Sequence, residues 1–273
     1  MQLGIFAKTF EGRDPFSVLS AARDAGYRSV QYNFACSGLP SMPVAVSEEV
    51  LEDIAVARSR TGIEIVALSA TYNMIHPDRA VRAAGLVGLG IAIRAAADLS
   101  IPMVTLCTGT RDPEDQWRAH PDNSTEAAWK DLLTEMARAA ALAEAHGVAL
   151  GIEPEQANVV RNADDALRLL SEIPSPRLRV VLDPANLFEP DEADRASDIV
   201  AEAISKLGPH IGMAHAKDKL RDGQVCAAGR GIIDFPAMLR QLRAAGFDGP
   251  LITHGLHAGE AAGVARYLGG LIA

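Results

Sequence analysis

Four residues draw attention first, because each is an ionisable or metal-ligating group at the end of a short apolar run. They are Glu153 in GIEPE, Asp183 in LDPAN, His215 in HAKD and His254 in LITHGL. A carboxylate taken out of water without a compensating cation is costly, so two of them in an apolar setting need positive charge nearby. Carboxylate oxygens together with imidazole nitrogens suit a single divalent ion such as Mn²⁺, Co²⁺, Zn²⁺ or Mg²⁺. Each residue alone also has an ordinary reading, since an acid before proline is a common turn or cap residue. Their recurrence at equivalent places in four successive units favours a metal site over four separate turns.

Such convergence requires elements that end at one rim. Short apolar runs recur along the chain: LGIFA (3–7), RSVQYN (28–33), EIVALSA (64–70), MVTLCT (103–108), ALGIEP (149–154), RVVLDP (179–184), IGMAHAK (211–217) and PLITHG (250–255). Amphipathic stretches with apolar residues three and four apart lie between them, several ending at glycine as a helix C-cap prefers. Parallel strands joined by right-handed helical crossovers follow. Near-continuous apolar strands imply that both faces are covered. The pattern predicts an α/β fold, a (β/α)8 TIM barrel forming a single domain over 1–273. An open doubly wound sheet would want a glycine-rich phosphate fingerprint after the first strand, and FAKTFEGRD is not one.

Composition narrows the partners. The 273 residues are 48% hydrophobic and 22% charged, with a net charge of −9. That acidity argues against nucleic acid, whose phosphates need clustered Lys and Arg. No segment reads as ~18 uncharged apolar residues, so no membrane partner is expected. Three widely spaced cysteines make no disulfide framework, and with no signal-like N-terminus a cytoplasmic location is expected. Exposed helices leave room for a homodimer.

Other polar residues fall near strand ends. His76 and Asn73 in TYNMIHPD either face substrate or belong to a loop that Asp78 closes by starting a helix. Tyr32, Asn33 and Lys8 read as structural. The stretch GTRDPEDQWRAHPDNST (109–125) is a long loop, and such loops are often lids. In it Trp117 would stack on a sugar face, while Arg111, Arg118 and His120 would grip an anion; the alternative is a surface excursion. Cys107 reads as core. GRGIID (229–234) resembles a phosphate-cradling turn weakly, and a simpler account has the glycines making a turn before Asp234 caps a helix. Lys217 and Asp218 follow His215, where either would orient it.

The run GIEPE, LDPAN, HAKD, GRGIID and GFDGPLI resembles the xylose isomerase-like TIM barrel superfamily of sugar phosphate isomerases and epimerases, over essentially the whole chain. The resemblance implies one divalent metal held by Glu153, Asp183 and His215. It also puts Asn186 and Arg221 where epimerases contact substrate hydroxyls. Family members usually end the eighth strand in a metal-binding Glu, and this chain has His254 there. His254 is then a fourth ligand and base, a substrate contact beside a three-ligand metal, or the mark of a site that has lost its metal.

A hydroxy-ketone bound to such an ion would have its carbonyl polarised and its neighbouring C–H acidified. The resulting enediolate would be held by the cation. Returning the proton to the opposite face epimerises, returning it to the neighbouring carbon isomerises, and losing a β-hydroxyl dehydrates. The expected function is a metal-dependent isomerase or epimerase of a sugar, sugar phosphate or small hydroxy-keto acid. The alternatives are a dehydratase and a catalytically degenerate carbohydrate-binding barrel. Glu153 and His254 take the proton-transfer roles; His76, Asn186, Arg221, Trp117 and Lys217 take the sugar-like substrate.

Overall fold

The computed structural model describes residues 1–273. Eight parallel strands close a barrel: β1 (Gln2–Phe6), β2 (Ser29–Tyr32), β3 (Glu64–Ser69), β4 (Met103–Leu106), β5 (Ala149–Ile152), β6 (Leu178–Leu182), β7 (Ile211–Ala216) and β10 (Pro250–Thr253). β1 seals the ring against β10, with Gln2–Ile5 opposite Pro250–Thr253. A small antiparallel hairpin, β8 (Asp218–Lys219) and β9 (Val225–Cys226), follows β7 and was not anticipated. Eight helices cover the outside: α1 (Pro15–Asp24), α2 (Glu48–Thr61), α3 (Arg79–Asp98), α4 (Glu126–His146), α5 (Ala163–Glu172), α6 (Ala196–Leu207), α7 (Phe235–Ala244) and α8 (Ala261–Ile272).

Local chemistry explains these boundaries. Asp14, Ser47, Asp78, Thr125, Asn162 and Asp234 each accept a backbone N–H in the first turn of the helix they open, as N-caps do. α2 and α4 stop at Gly62 and Gly147, both with left-handed backbone. Most strands stop a residue or two earlier than the apolar runs suggested. After β5 and β6 come Glu153–Pro154 and Asp183–Pro184, and a proline has no N–H for the next ladder rung. Both acids therefore sit on the first residue beyond the sheet, freed to turn over the mouth.

The core has two layers. Strands and helices pack into one large apolar cluster, while Val66, Ala67, Met103, Val181, Met213 and Ile252 form a smaller one that plugs the barrel. α3 has a mean hydropathy of 1.5 over 18 residues, enough by length and composition to cross a membrane. Arg82 and Arg94 interrupt it, however, and the buried Arg82 guanidinium lies 2.9 Å from Asp131 of α4.

Candidate active site at the barrel mouth

Glu153, Asp183 and His215 come together at the C-terminal ends of β5, β6 and β7, with one donor atom from each lying within 4.8 Å of the other two. Asp183 and His215 are almost fully enclosed. His215 Nδ1 stands 3.2 Å from Asp183 Oδ2 and 3.5 Å from Glu153 Oε1. Its other nitrogen, Nε2, is 2.9 Å from Gln31 Oε1. The Gln31 amide in turn donates to Thr105 Oγ1 at 2.9 Å, so Oε1 faces the imidazole and Nε2 is the donor. That fixes the ring with Nδ1 toward the carboxylates. Gln31 was missed in the sequence, where it is one polar residue inside the apolar run RSVQYN.

Lys217 is the second cation of this cluster. Its Nζ lies 3.1 Å from Asp183 Oδ2 and donates to Asn186 Oδ1 at 2.5 Å. Asn186 Nδ2 donates to Glu153 Oε1 at 2.8 Å. Asn186 thus bridges the lysine and the carboxylate of β5. Burial alone would raise the Asp183 carboxyl, but Lys217 and then His215 hold it well below the usual carboxylate range. Burial would lower His215; the Glu153 charge and the Asp183 hydrogen bond overcome it and hold the imidazole up at about 9.

His254 lies beside this group and is not part of it. Its ring stacks between Phe6 and His215, at centroid distances of 5.0 and 5.3 Å. Its Nδ1 is buried without a hydrogen-bond partner. Burial, followed by the nearby charges of His215 and Lys217, pulls it down to about 4. His254 is therefore a neutral imidazole on the β10 side of the cavity.

Gln31, Glu153, Asn186, His215, Lys217 and His254 line a cavity of about 420 Å³, which Lys8, Asn33 and Trp117 also reach, with Asp183 enclosed behind them. Glu155, the second acid of GIEPE, lines it too and was passed over in the sequence. Burial, opposed by Lys217 and reinforced by Glu153 and Asp183, raises Glu155 to about 7.

Several expected contacts lie elsewhere. Arg221 is exposed in the turn of the β8–β9 hairpin, where it pairs with Asp194 at 2.6 Å, away from the cavity. The hairpin carries residues 220–224 outward. His76 sits outside the inner cavity, with Nε2 3.0 Å from the Pro113 carbonyl and Nδ1 accepting the Asp78 N–H. Arg111 binds Asp131 and the Ile75 carbonyl, Arg118 binds Asp112 and Glu114, and His120 caps a short helical turn. The cations of the long loop build the loop itself. Lys217 contacts Asp183 and not His215. GRGIID is a structural turn: the Asp218 carboxylate accepts the backbone N–H groups of Gly229, Gly231 and Ile233, and a Cβ at Gly231 would run into it. Cys107 is buried, and its thiol is pushed well up by burial.

The model of the family described as xylose isomerase-like TIM barrel matches residues 19–266, and the chain belongs to that family. No curated protein matches by sequence. Among solved structures, 3-keto-D-glucoside 4-epimerase from E. coli superimposes with a TM-score of 0.78 at 16% identity, covering 100% of this chain and 99% of that one. A D-tagatose 3-epimerase-like protein gives 0.79 at 17% identity, covering 100% and 97%. An L-ribulose 3-epimerase gives 0.74 at 20% identity, covering 100% and 98%. At these identities the likeness is one of fold.

Proposed function

We propose that this chain is a divalent-metal-dependent epimerase or isomerase of a sugar or related hydroxy-ketone, acting through an enediolate. The observation that carries the reading is the meeting of Glu153, Asp183 and His215 donors in the mouth of the barrel, with Nδ1 of His215 turned to both carboxylates. The epimerase activities named for the three structural neighbours support the same reaction class.

The donor set fits a divalent ion of the Mn²⁺, Co²⁺, Zn²⁺ or Mg²⁺ kind, with Gln31 presetting the His215 tautomer. Bound there, the ion would polarise a substrate carbonyl and hold enediolate charge. The protein supplies the rest. Glu153, anchored by Asn186, is the proton-transfer group on the β5 side. His254, kept neutral by burial, is the proton acceptor on the β10 side, with β6 and β7 between them around the ring. Two such groups flanking a planar intermediate are what inversion at one carbon needs. Asn186 and Lys217 meet substrate hydroxyls from the cavity wall.

A metal-free sugar-binding barrel is the second reading, favoured by one observation: the Lys217 ammonium already neutralises Asp183. Elemental analysis after dialysis against mixed divalent ions, with proton NMR of ketoses in D2O, separates the two. About one equivalent of metal in the wild type, lost in Asp183→Asn, and deuterium at one sugar carbon support the enzyme. Neither metal nor exchange leaves the binding barrel.

A further inference from the structure

The cavity at the barrel mouth continues past its rim. Thr71, Gln116 and Trp117 line both the inner cavity and a second, more open one of about 550 Å³, whose walls include Asn73, His76 and Asp112. The inner space lies toward the low end of the range for small-molecule sites. A single sugar ring fits within it, and a second ring has room in the outer space past Trp117.

The residues at this junction are poised for a ligand. Trp117 is 51% exposed. Its indole N–H, the Gln116 side-chain amide and the Thr71 hydroxyl make no hydrogen bond within the protein; Trp117 and Gln116 are tied only through their backbones, to Asp115 and Asn158. The loop that carries them is nevertheless well braced. Asp112 accepts the N–H groups of Glu114 and Asp115 and binds Arg118, while Asn158 also accepts the Gly109 N–H. A large apolar ring held half in water on a braced loop offers a flat surface that the fold itself does not cover. Its own N–H and the two neutral groups beside it, on Gln116 and Thr71, match hydroxyls. The cations of the region are already paired with Asp131, Asp112 and Glu114, so the groove suits a neutral group better than a phosphate.

We propose that the substrate is a glycoside, with the reacting sugar in the inner cavity and a second neutral ring stacked on Trp117 in the outer groove. The choice of reacting ring rests on the epimerase reading; the outer subsite does not. Binding is tested without turnover, by calorimetry with glucose, a set of neutral glucose disaccharides of different linkage, and glucose phosphates. At least one disaccharide is expected to bind at least tenfold tighter than glucose. Trp117→Ala should erase that advantage and Trp117→Phe should keep most of it. The subsite is overturned if no disaccharide exceeds glucose, if a phosphate binds best, or if the advantage survives Trp117→Ala. Solvent exchange from free ketoses as fast as from disaccharides that carry a reducing-end ketose glycosylated on a hydroxyl, so that its carbonyl stays free, would also overturn it while leaving the reaction intact. Absence of exchange from every sugar, with the Trp117-dependent advantage present, would instead sink the reaction and leave the subsite standing.

Discussion

Asp183 and Asp218 are both enclosed carboxylates on the same rim of the barrel, at 1% and 0% exposure, yet they are neutralised in opposite ways. Asp218 accepts four backbone N–H groups, from Lys219, Gly229, Gly231 and Ile233, at 2.8–3.1 Å. Those donors belong to the main chain and cannot be exchanged for a cation. Asp183 takes one backbone N–H, from Ala185, and faces the side chains of His215 and Lys217 with its other oxygen. Side-chain cations can shift, lose a proton or make way. A buried acid wrapped in amides is architecture; a buried acid facing mobile cations is available for chemistry.

The comparison can be pressed hardest at Asp183. Asp183→Asn should lower solvent exchange from substrate on the order of a thousandfold and abolish metal retention, with the fold kept. A variant that keeps both would place the two acids in the same class. Asp218→Ala should do the reverse. Stranding several amides is expected to reduce unfolding free energy by about 3 kcal/mol, read by urea titration, while metal per folded molecule stays near wild type.

Proton linkage gives a finer test. In the metal-free protein His215 titrates at about 9, above the ordinary 6.5. Its ion pairing therefore contributes stability fully below about 6.5 and loses it as pH rises through about 9. An ion must displace the Nδ1 proton, so metal affinity should rise about tenfold per pH unit up to about 9 and then level off. Calorimetry in buffers of different ionisation enthalpy should register about one proton released at pH 7. The smallest effect expected is that of Gln31→Leu, which frees the far side of the ring and should weaken metal binding about tenfold. Tenfold weakening here with the pH slope unchanged would keep both the tautomer argument and the proton release, and a flat pH dependence in the wild type would discard the proton release.

The sequence by itself determined the barrel, because strand-length apolar runs alternating with amphipathic helices leave few other ways to cover both faces of a parallel sheet. It also exposed Glu153, Asp183 and His215, since an ionisable residue at the end of an apolar strand violates the local pattern and so is visible without coordinates. Only the tertiary structure decided the remainder. Arg111, Arg118 and Arg221 look as eligible as Lys217 when read along the chain; whether a long cationic side chain meets a substrate or a neighbouring acid depends on loops whose course no periodicity fixes. Gln31 reaches His215 across 184 residues of sequence, and Asp218 gathers a turn 11–15 residues away. Hydrogen bonds of this kind are set by where closed strands bring distant side chains. The displacement of His254 from the three donors has the same origin, because it is the packing of its ring between Phe6 and His215 that sets where its nitrogens lie.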